Sequence, residues 1–239
     1  MTVLPLNMFD GFANSFYKTF IEENRWASFL NGFCNTLIIA LFATLLGVMI
    51  GLLVSVVKVY NAQSGKLKIL NWICNAYTAV IRGTPVMIQL LIMYNIILVG
   101  VPDDFVLITA ILSFGINSGA YVSEIIRGGI QSVDRGQMEA GRSLGLTQGQ
   151  TMKSIILPQA VKNILPALGN EFIALLKETS IVGYIAVVDL TRAADLVRSR
   201  TFDAFFPLIS VAIIYFFLVM GISKLIKIAE RRMAKSDRR

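Results

Sequence analysis

Residues 30–57 read LNGFCNTLIIALFATLLGVMIGLLVSVV, a run with no charged side chain. An α-helix crosses the hydrocarbon core of a bilayer with about 20 apolar residues, at about 1.5 Å per residue. Lys58 ends the run, and Lys66 and Lys68 follow shortly afterwards. Because lysine and arginine are concentrated in cytoplasmic loops, the stretch is predicted to be a membrane-spanning helix that ends at the cytoplasmic side.

Four further apolar stretches follow, at about residues 71–99, 105–126, 158–187 and 206–228. The first of them is interrupted by Arg82-Gly83-Thr84-Pro85, where the proline is expected to break or kink the helix. The fourth and fifth spans are joined by a short polar loop. Because the first loop, the long loop before Pro158 and the C-terminal tail are basic, we expect the N-terminus outside and the C-terminus in the cytoplasm. The predicted fold is an all-α integral protein of the plasma membrane, with five transmembrane helices.

The predicted domain organisation is simple. Residues 29–230 form one membrane domain, and residues 231–239 form a basic cytoplasmic tail. Residues 1–28 do not have the pattern of a secretory signal. Their aromatic residues predict an amphipathic helix on the outer membrane surface, and these are Phe9, Phe12, Phe16, Tyr17 and Phe20.

The composition argues against an enzyme or a metalloprotein. The chain has 239 residues and no histidine, so it lacks the commonest general base and metal ligand. Its two cysteines, Cys34 and Cys74, lie far apart in apolar stretches and are expected to be buried small residues. No Gly-x-x-x-x-Gly-Lys-Ser/Thr loop is present, so no nucleotide site is expected in this chain.

The loop at 128–157, between the third and fourth spans, carries local signals for two short helices. Ser132 or Asp134 can cap the first helix, and Gly145 suits its C-terminal end. Thr147 and Gln150 have the spacing of a capping box, and Pro158 is tolerated in the first turn of the next helix. A long loop with its own structure is more often functional than a spacer.

This loop resembles the EAA loop of importer-type ATP-binding-cassette permeases. Glu139-Ala140-Gly141 is followed after three residues by Gly145, and after nine more by Ile155-Ile156-Leu157-Pro158. The pattern departs from the family only at Gly141, which replaces an alanine. The Arg82–Pro85 stretch, the Pro158-Gln159-Ala160 continuation and Leu176–Ser180 resemble the branch that takes up polar amino acids.

The resemblance implies the permease subunit of an ATP-driven amino acid importer. A helix around Glu139, Ala140, Gly141, Leu144 and Gly145 would then dock on an ATPase subunit that holds ATP and magnesium. The resemblance also implies a second permease, either an identical copy or a homologous chain, and an extracytoplasmic amino-acid-binding protein. This chain itself would bind no cofactor.

Polar residues inside the predicted spans are candidates for a substrate path. Ionisable groups in membrane helices normally face the protein interior, a partner or water. Glu171 lies about 13 residues beyond Pro158, near the middle of the membrane, and its carboxylate could attract an amino group or a cationic side chain. Asn117, Asn95 and Gln89 are the other candidates, although polar residues of this kind also join helices by hydrogen bonds. Glu124, three residues before Arg127, is expected to pair with it.

Two other classes of function compete with the importer subunit. A self-sufficient secondary carrier or channel usually contains an internal repeat or a complete ion pathway, and neither is visible. An intramembrane enzyme needs a nucleophile with a base or a metal cluster, and the residue content does not favour either.

Overall fold

The computed structural model of the chain describes residues 8–100, 102 and 105–236. The α-helices of this part are α1 (Met8–Phe16), α2 (Trp26–Ser64), α3 (Lys68–Gly83), α4 (Val86–Ile92), α5 (Val106–Gln131), α6 (Arg135–Ser143), α7 (Gln148–Thr151), α8 (Leu157–Glu178), α9 (Leu190–Thr201) and α10 (Phe205–Ser236). Short π-helical turns at Tyr17–Ile21, Met93–Ile97 and Met152–Ile156 and 3₁₀ turns at Glu22–Asn24 and Thr179–Ile185 extend several of them. The predicted all-α fold is confirmed.

Three of the described helices are long and apolar enough to cross a membrane on their own: α2, α5 and the Phe205–Met233 part of α10. Helix α3 and the pair formed by α4 and its π-turn meet at a bend of 108° and count as a fourth span only when taken together. Helix α8, the predicted fourth span, is not apolar enough to count as a membrane-spanning helix by itself, because polar residues such as Lys162 and Glu171 interrupt its apolar sequence. The predicted count of five spans is therefore not confirmed.

Helices α2 and α5 pack closely because small residues line their contact. A Cβ added at Gly47 would lie 2.8 Å from the Ser118 Cβ, and one at Gly51 would lie 2.5 Å from a Val122 methyl carbon. Because glycine has no Cβ, the two backbones can approach this closely, as is usual between membrane helices. The pair is the centre of the molecule, and α8 packs against both of its members.

The main core is formed by α2, α4, α5, α8 and the 3₁₀ turn at Thr179–Ile185. Its largest fully buried side chains include Ile39 of α2, Leu90 of α4, Phe114 of α5 and Leu176 of α8. In contrast, many apolar side chains on the outer surface of α2 and α10 are exposed. Exposed apolar faces on long helices are what a lipid environment requires.

The segment between α8 and α10 contains a helix where the sequence analysis expected a polar loop. Helix α9 begins after Asp189, whose side chain accepts hydrogen bonds from the Thr191 and Arg192 backbone N–H groups at 2.9 and 3.0 Å. Its buried face is formed by Leu190, Ala193, Ala194 and Val197. This spacing of i, i+3, i+4 and i+7 is the amphipathic pattern of a helix that buries one face.

The N-terminal segment packs on the protein. The Phe12 ring lies 4.9 Å from the Phe206 ring at the start of α10, and the Phe20 ring lies 5.0 Å from the Phe29 ring of α2. The expected helix is present at Met8–Phe16. Residues 1–7 and the side chain of Phe9 lie outside the described residues. The aromatic side chains of this segment therefore hold it against α2 and α10.

Candidate substrate path and coupling loop

The break between α3 and α4 is bridged by the side chain of Gln89. Thr84 and Pro85 adopt extended backbone, so the helix cannot continue through them. The Gln89 Nε2 donates hydrogen bonds to the carbonyl oxygens of Ile81 at 2.8 Å and Thr84 at 3.1 Å, and to the Thr84 hydroxyl at 2.8 Å. This amide satisfies backbone groups that the break leaves without helical partners.

The other end of the Gln89 amide connects α4 to α5. Its Oε1 accepts a hydrogen bond of 2.8 Å from the Nδ2 of Asn117, which is only 4% exposed. Two of the predicted path residues therefore contact each other directly. The hydrogen bonds of its Nε2 fix the orientation of the Gln89 amide, and the Gln89 Oε1 in turn fixes the orientation of the Asn117 amide.

The next residue of α5 connects to α8. The Ser118 hydroxyl donates a hydrogen bond of 3.0 Å to the Oε1 of Glu171, which is half-buried. Gln89, Asn117, Ser118 and Glu171 thus form a polar cluster across α4, α5 and α8. Ser118 was not among the four path candidates that were chosen from the sequence.

Asn95 is not part of the polar cluster. It is exposed in the π-turn after α4, and its Nδ2 donates a hydrogen bond of 2.9 Å to the Leu91 carbonyl of its own helix. Of the four predicted path residues, the structure brings Gln89, Asn117 and Glu171 into one cluster and leaves Asn95 outside it.

An ion-pair network lies further along α5, towards the loop that follows it. The Lys58 Nζ, on a side chain 7% exposed, lies 2.9 Å from one oxygen of Glu124 and donates to the Thr78 hydroxyl at 2.8 Å. The second oxygen of Glu124 lies 2.6 Å from an Arg127 nitrogen. The predicted pairing of Glu124 with Arg127 is confirmed, and the network also ties α2, α3 and α5 together.

The loop between α5 and α8 has the predicted caps. Asp134 caps α6 by accepting a hydrogen bond of 2.6 Å from the Gly136 N–H. Gly145, just beyond α6, has a φ of +85°, a left-handed conformation that favours glycine. Thr147 and Gln150 form the capping box of α7. Helix α5, which precedes this loop, continues to Gln131, five residues beyond the end of the predicted apolar stretch at 105–126.

Helix α6 packs against α7 at Gly141. This residue is buried, and a Cβ at its position would lie 2.5 Å from a Thr151 side-chain carbon. The opposite face of α6 is open, with Glu139 and Ala140 exposed and Leu144 81% exposed. An apolar side chain left in water at the tip of a fixed helix is a feature of interaction surfaces.

The fold and these sites together define a class of protein. Long apolar helices enclose a polar cluster, and a rigid helical loop projects from one end of them. This arrangement is that of a membrane-spanning transport component.

The chain belongs to the family of binding-protein-dependent transport system inner membrane components, which it matches over residues 47–235. It is 42% identical over 205 residues to the putative glutamine transport system permease protein of Rickettsia typhi, covering 85% of this chain and 92% of the relative. It is 39% identical over 215 residues to the arginine transport system permease protein of Bacillus subtilis, covering 87% and 93%.

Solved structures show the same fold. An amino acid ABC transporter crystallised with histidines matches with a TM-score of 0.81 and 40% identity, over 97% of this chain and 100% of the other. The MetNI methionine ABC transporter in an inward-facing form matches with a TM-score of 0.71 at 20% identity, which supports the fold alone. The resemblance to importer permeases is confirmed, and the self-sufficient carrier or channel is not favoured.

Proposed function

We propose that this chain moves polar amino acids across the plasma membrane as the permease subunit of an ATP-driven importer. Its N-terminus lies outside and its C-terminus in the cytoplasm, with residues 1–28 on the outer surface. The substrate class is supported by relatives named for glutamine, arginine and L-cystine transport. The orientation is supported by the basic residues around Lys58, in the loop before α8 and in the C-terminal tail.

The polar cluster is the substrate path in this proposal. Gln89, Asn117 and Glu171 offer amide and carboxylate groups among otherwise apolar helices, and Asn95 adds an exposed amide beyond them. The observation that carries the proposal is that the cluster joins three helices and includes a carboxylate that is only half-buried. Such groups are costly in a membrane unless they serve a solute or a partner.

A second permease completes the path. The described helices that can span a membrane are three, or four with the bent pair, too few to enclose a polar channel alone. The partner is either a second copy of this chain or a homologous permease. In both cases an extracytoplasmic binding protein delivers the amino acid.

Helix α6 is the coupling element. Leu144, Glu139 and Ala140 present an open face to an ATPase subunit, while Gly141 lets α6 pack on α7 and Gly145 shapes the end of α6. ATP and magnesium are held by that separate subunit. A stiff connection is required because a mobile loop would not transmit the ATPase movement to the membrane helices.

The test is ATP-dependent uptake of radiolabelled L-glutamine and L-arginine into liposomes. The liposomes contain this chain, its ATPase and its binding protein. We expect uptake of at least one amino acid that requires all three components. Gly145→Pro should abolish it, because proline cannot adopt a φ of +85°. ATP-independent uptake by the chain alone would contradict the proposal.

A further inference from the structure

The C-terminal part of α10 carries positive charges that have no ionic partner. Lys224, Lys227, Arg231 and Arg232 are all exposed. Within residues 8–100, 102 and 105–236, no carboxylate forms an ion pair with any of the four, and this includes Glu230, the single acidic residue of α10. These cations are therefore available to an anion from outside the described part of the chain.

Helix α10 turns one of its sides towards α8. Ile222 packs on the main core, and a Cβ added at Gly169 of α8 would lie 2.8 Å from a methyl carbon of Ile226. At 3.6 residues per turn, the four cations lie within an arc of about 140° on the other side of the helix from these two isoleucines. The basic side chains therefore point away from the rest of the protein.

The outward side of α10 is apolar earlier in the helix. Ile213, Phe217 and Met220 are about half exposed on this side. Lys224 and Arg231 continue the same line of side chains, because the successive spacings are four, three, four and seven residues. An exposed apolar side of a long helix faces lipid tails in a membrane. The lipid-facing side of α10 thus changes from apolar to basic between Met220 and Lys224.

The length of the uncharged part of α10 places this change at the edge of the membrane. Residues 205–223 contain no charged side chain. At 1.5 Å per residue they extend about 28 Å, which matches the thickness of about 30 Å of the hydrocarbon core of a bilayer. The helix then continues to Ser236. Lys224 therefore lies at the boundary of the hydrocarbon core, and the later cations lie among the lipid headgroups.

The headgroups of anionic phospholipids have the charge that these side chains lack as a partner. Lysine and arginine keep their aliphatic stems on apolar surface and extend their charged ends to the headgroups. Each such cation near an anionic membrane surface strengthens the attraction by about fivefold, and an arginine can bind two phosphate oxygens at once. A zwitterionic phospholipid carries the same phosphate with a compensating cation and is attracted less.

We propose that the basic face of α10, formed by Lys224, Lys227, Arg231 and Arg232, binds the headgroups of anionic phospholipids. The inference goes beyond transport, because it depends neither on the amino acid that the chain moves nor on the ATPase. It assigns a lipid partner to a part of α10 that belongs to neither the substrate path nor the coupling helix.

The test is native mass spectrometry of the full-length chain in a neutral detergent, titrated with two lipids. Dioleoylphosphatidylglycerol is anionic and dioleoylphosphatidylcholine is zwitterionic, whereas their acyl chains are identical. We expect the wild type to bind the anionic lipid about tenfold or more tightly than the zwitterionic lipid. A higher concentration of ammonium acetate should reduce this preference, because dissolved ions screen exposed charges.

A triple variant of the basic face removes three of its charges. Combining Lys224→Gln, Lys227→Gln and Arg231→Gln should lower the preference for the anionic lipid about fivefold or more. Combining Lys224→Arg, Lys227→Arg and Arg231→Lys keeps the charges and should match the wild type. Size-exclusion chromatography and the melting temperature in detergent check that both variants are folded.

The matched control removes the same number of charges from another surface. Arg135, Arg142 and Lys153 are exposed in the loop at 128–157, away from the lipid-facing side of α10. Replacing all three with glutamine should leave the preference for the anionic lipid unchanged.

Three outcomes overturn the inference in different ways. If the wild type binds both lipids equally, the basic face does not select anionic headgroups. If the control loses the preference as much as the glutamine variant of α10 does, the net charge of the protein attracts the lipid. If the glutamine variant of α10 keeps the preference, the lipid binds elsewhere, and a weaker affinity of that variant for the ATPase would assign the basic face to the ATPase instead.

Discussion

Ser118 donates a hydrogen bond of 3.0 Å to Glu171, and this contact joins α5 to α8 inside the helical bundle. Ser118 is 1% exposed and packs against Gly47 of α2, so its hydroxyl has little freedom to move. One oxygen of the carboxylate is therefore held in place. The second oxygen accepts no hydrogen bond from the described residues and is available to a solute.

Glu171→Gln should change which amino acid is transported. The glutamine side chain can still accept the Ser118 hydrogen bond but cannot attract a cation. We expect uptake of L-arginine to fall about tenfold, since hydrogen bonds to charged groups contribute about 1.5–3 kcal/mol, and uptake of L-glutamine to change less than twofold. Competition between the two labelled amino acids in liposomes measures the ratio.

The matched control is Glu230→Gln near the C-terminal end of α10, which should leave the ratio unchanged. An unchanged ratio in Glu171→Gln as well would mean that this carboxylate only joins helices.

Leu144→Ala should weaken the connection with the ATPase. Its side chain is 81% exposed at the end of α6, so truncation should hardly affect the free energy of unfolding of the permease alone. If the side chain enters a pocket on the ATPase, binding should weaken by about 1–3 kcal/mol, or about 5- to 150-fold. Titration of the ATPase into detergent-solubilised permease measures this affinity.

Leu53→Ala provides the same truncation at an exposed site on α2 and should bind the ATPase normally. If Leu144→Ala and Leu53→Ala bind the ATPase with equal affinity, Leu144 does not contribute to the contact with the ATPase.

The local features of the fold could be predicted from the sequence because they depend on residues close together in the chain. The Asp134 cap, the left-handed Gly145 and the break at Pro85 each follow from a few neighbouring residues. Proline determines that the helix breaks, but the bend of 108° between α3 and α4 depends on how both halves pack.

The candidate site could be predicted only in part. Polarity within an apolar stretch pointed to Gln89, Asn117 and Glu171, yet their partners come from other helices, 28 and 53 residues away in the chain. Asn95 gives the same sequence signal and is satisfied by its own helix instead. The sequence pairs Glu124 with Arg127 but gives no indication of Lys58, since that contact requires α2 to pack on α5.

Replacing Lys58 and replacing Glu124 should lower the free energy of unfolding by different amounts. In Glu124→Gln, the Lys58 ammonium group remains 7% exposed without a carboxylate, and we expect a loss of about 3 kcal/mol in the free energy of unfolding. In Lys58→Met, Glu124 keeps its ion pair with Arg127, so the loss should be smaller. Chemical unfolding of the detergent-solubilised permease measures both variants. A larger loss in Lys58→Met would show that Arg127 does not compensate Glu124.

Asp189 should make the stability of the α9 region depend on pH. Burial raises the pKa of its carboxyl group, although the backbone N–H groups of Arg192 and Thr191 act in the opposite direction. An aspartate whose pKa is higher in the folded state binds its proton more tightly when folded. Its contribution to stability is therefore complete below the unfolded pKa of about 3.9 and is lost as pH rises through the folded pKa.

Asp189→Asn keeps an acceptor for the α9 cap and has no charge to bury. Its melting temperature relative to the wild type should therefore increase as pH is raised from 4 to 8, and level off once the wild-type carboxylate is ionised. Asp189→Ala loses the cap, which costs about 1 kcal/mol, and its melting temperature should fall below that of Asp189→Asn at every pH. Melting curves of the detergent-solubilised variants across this range provide the measurement. If the difference in melting temperature between wild type and Asp189→Asn does not change with pH, burial does not raise the pKa of the Asp189 carboxyl group. The hydrogen bonds to α9 would then offset the cost of burying its charge.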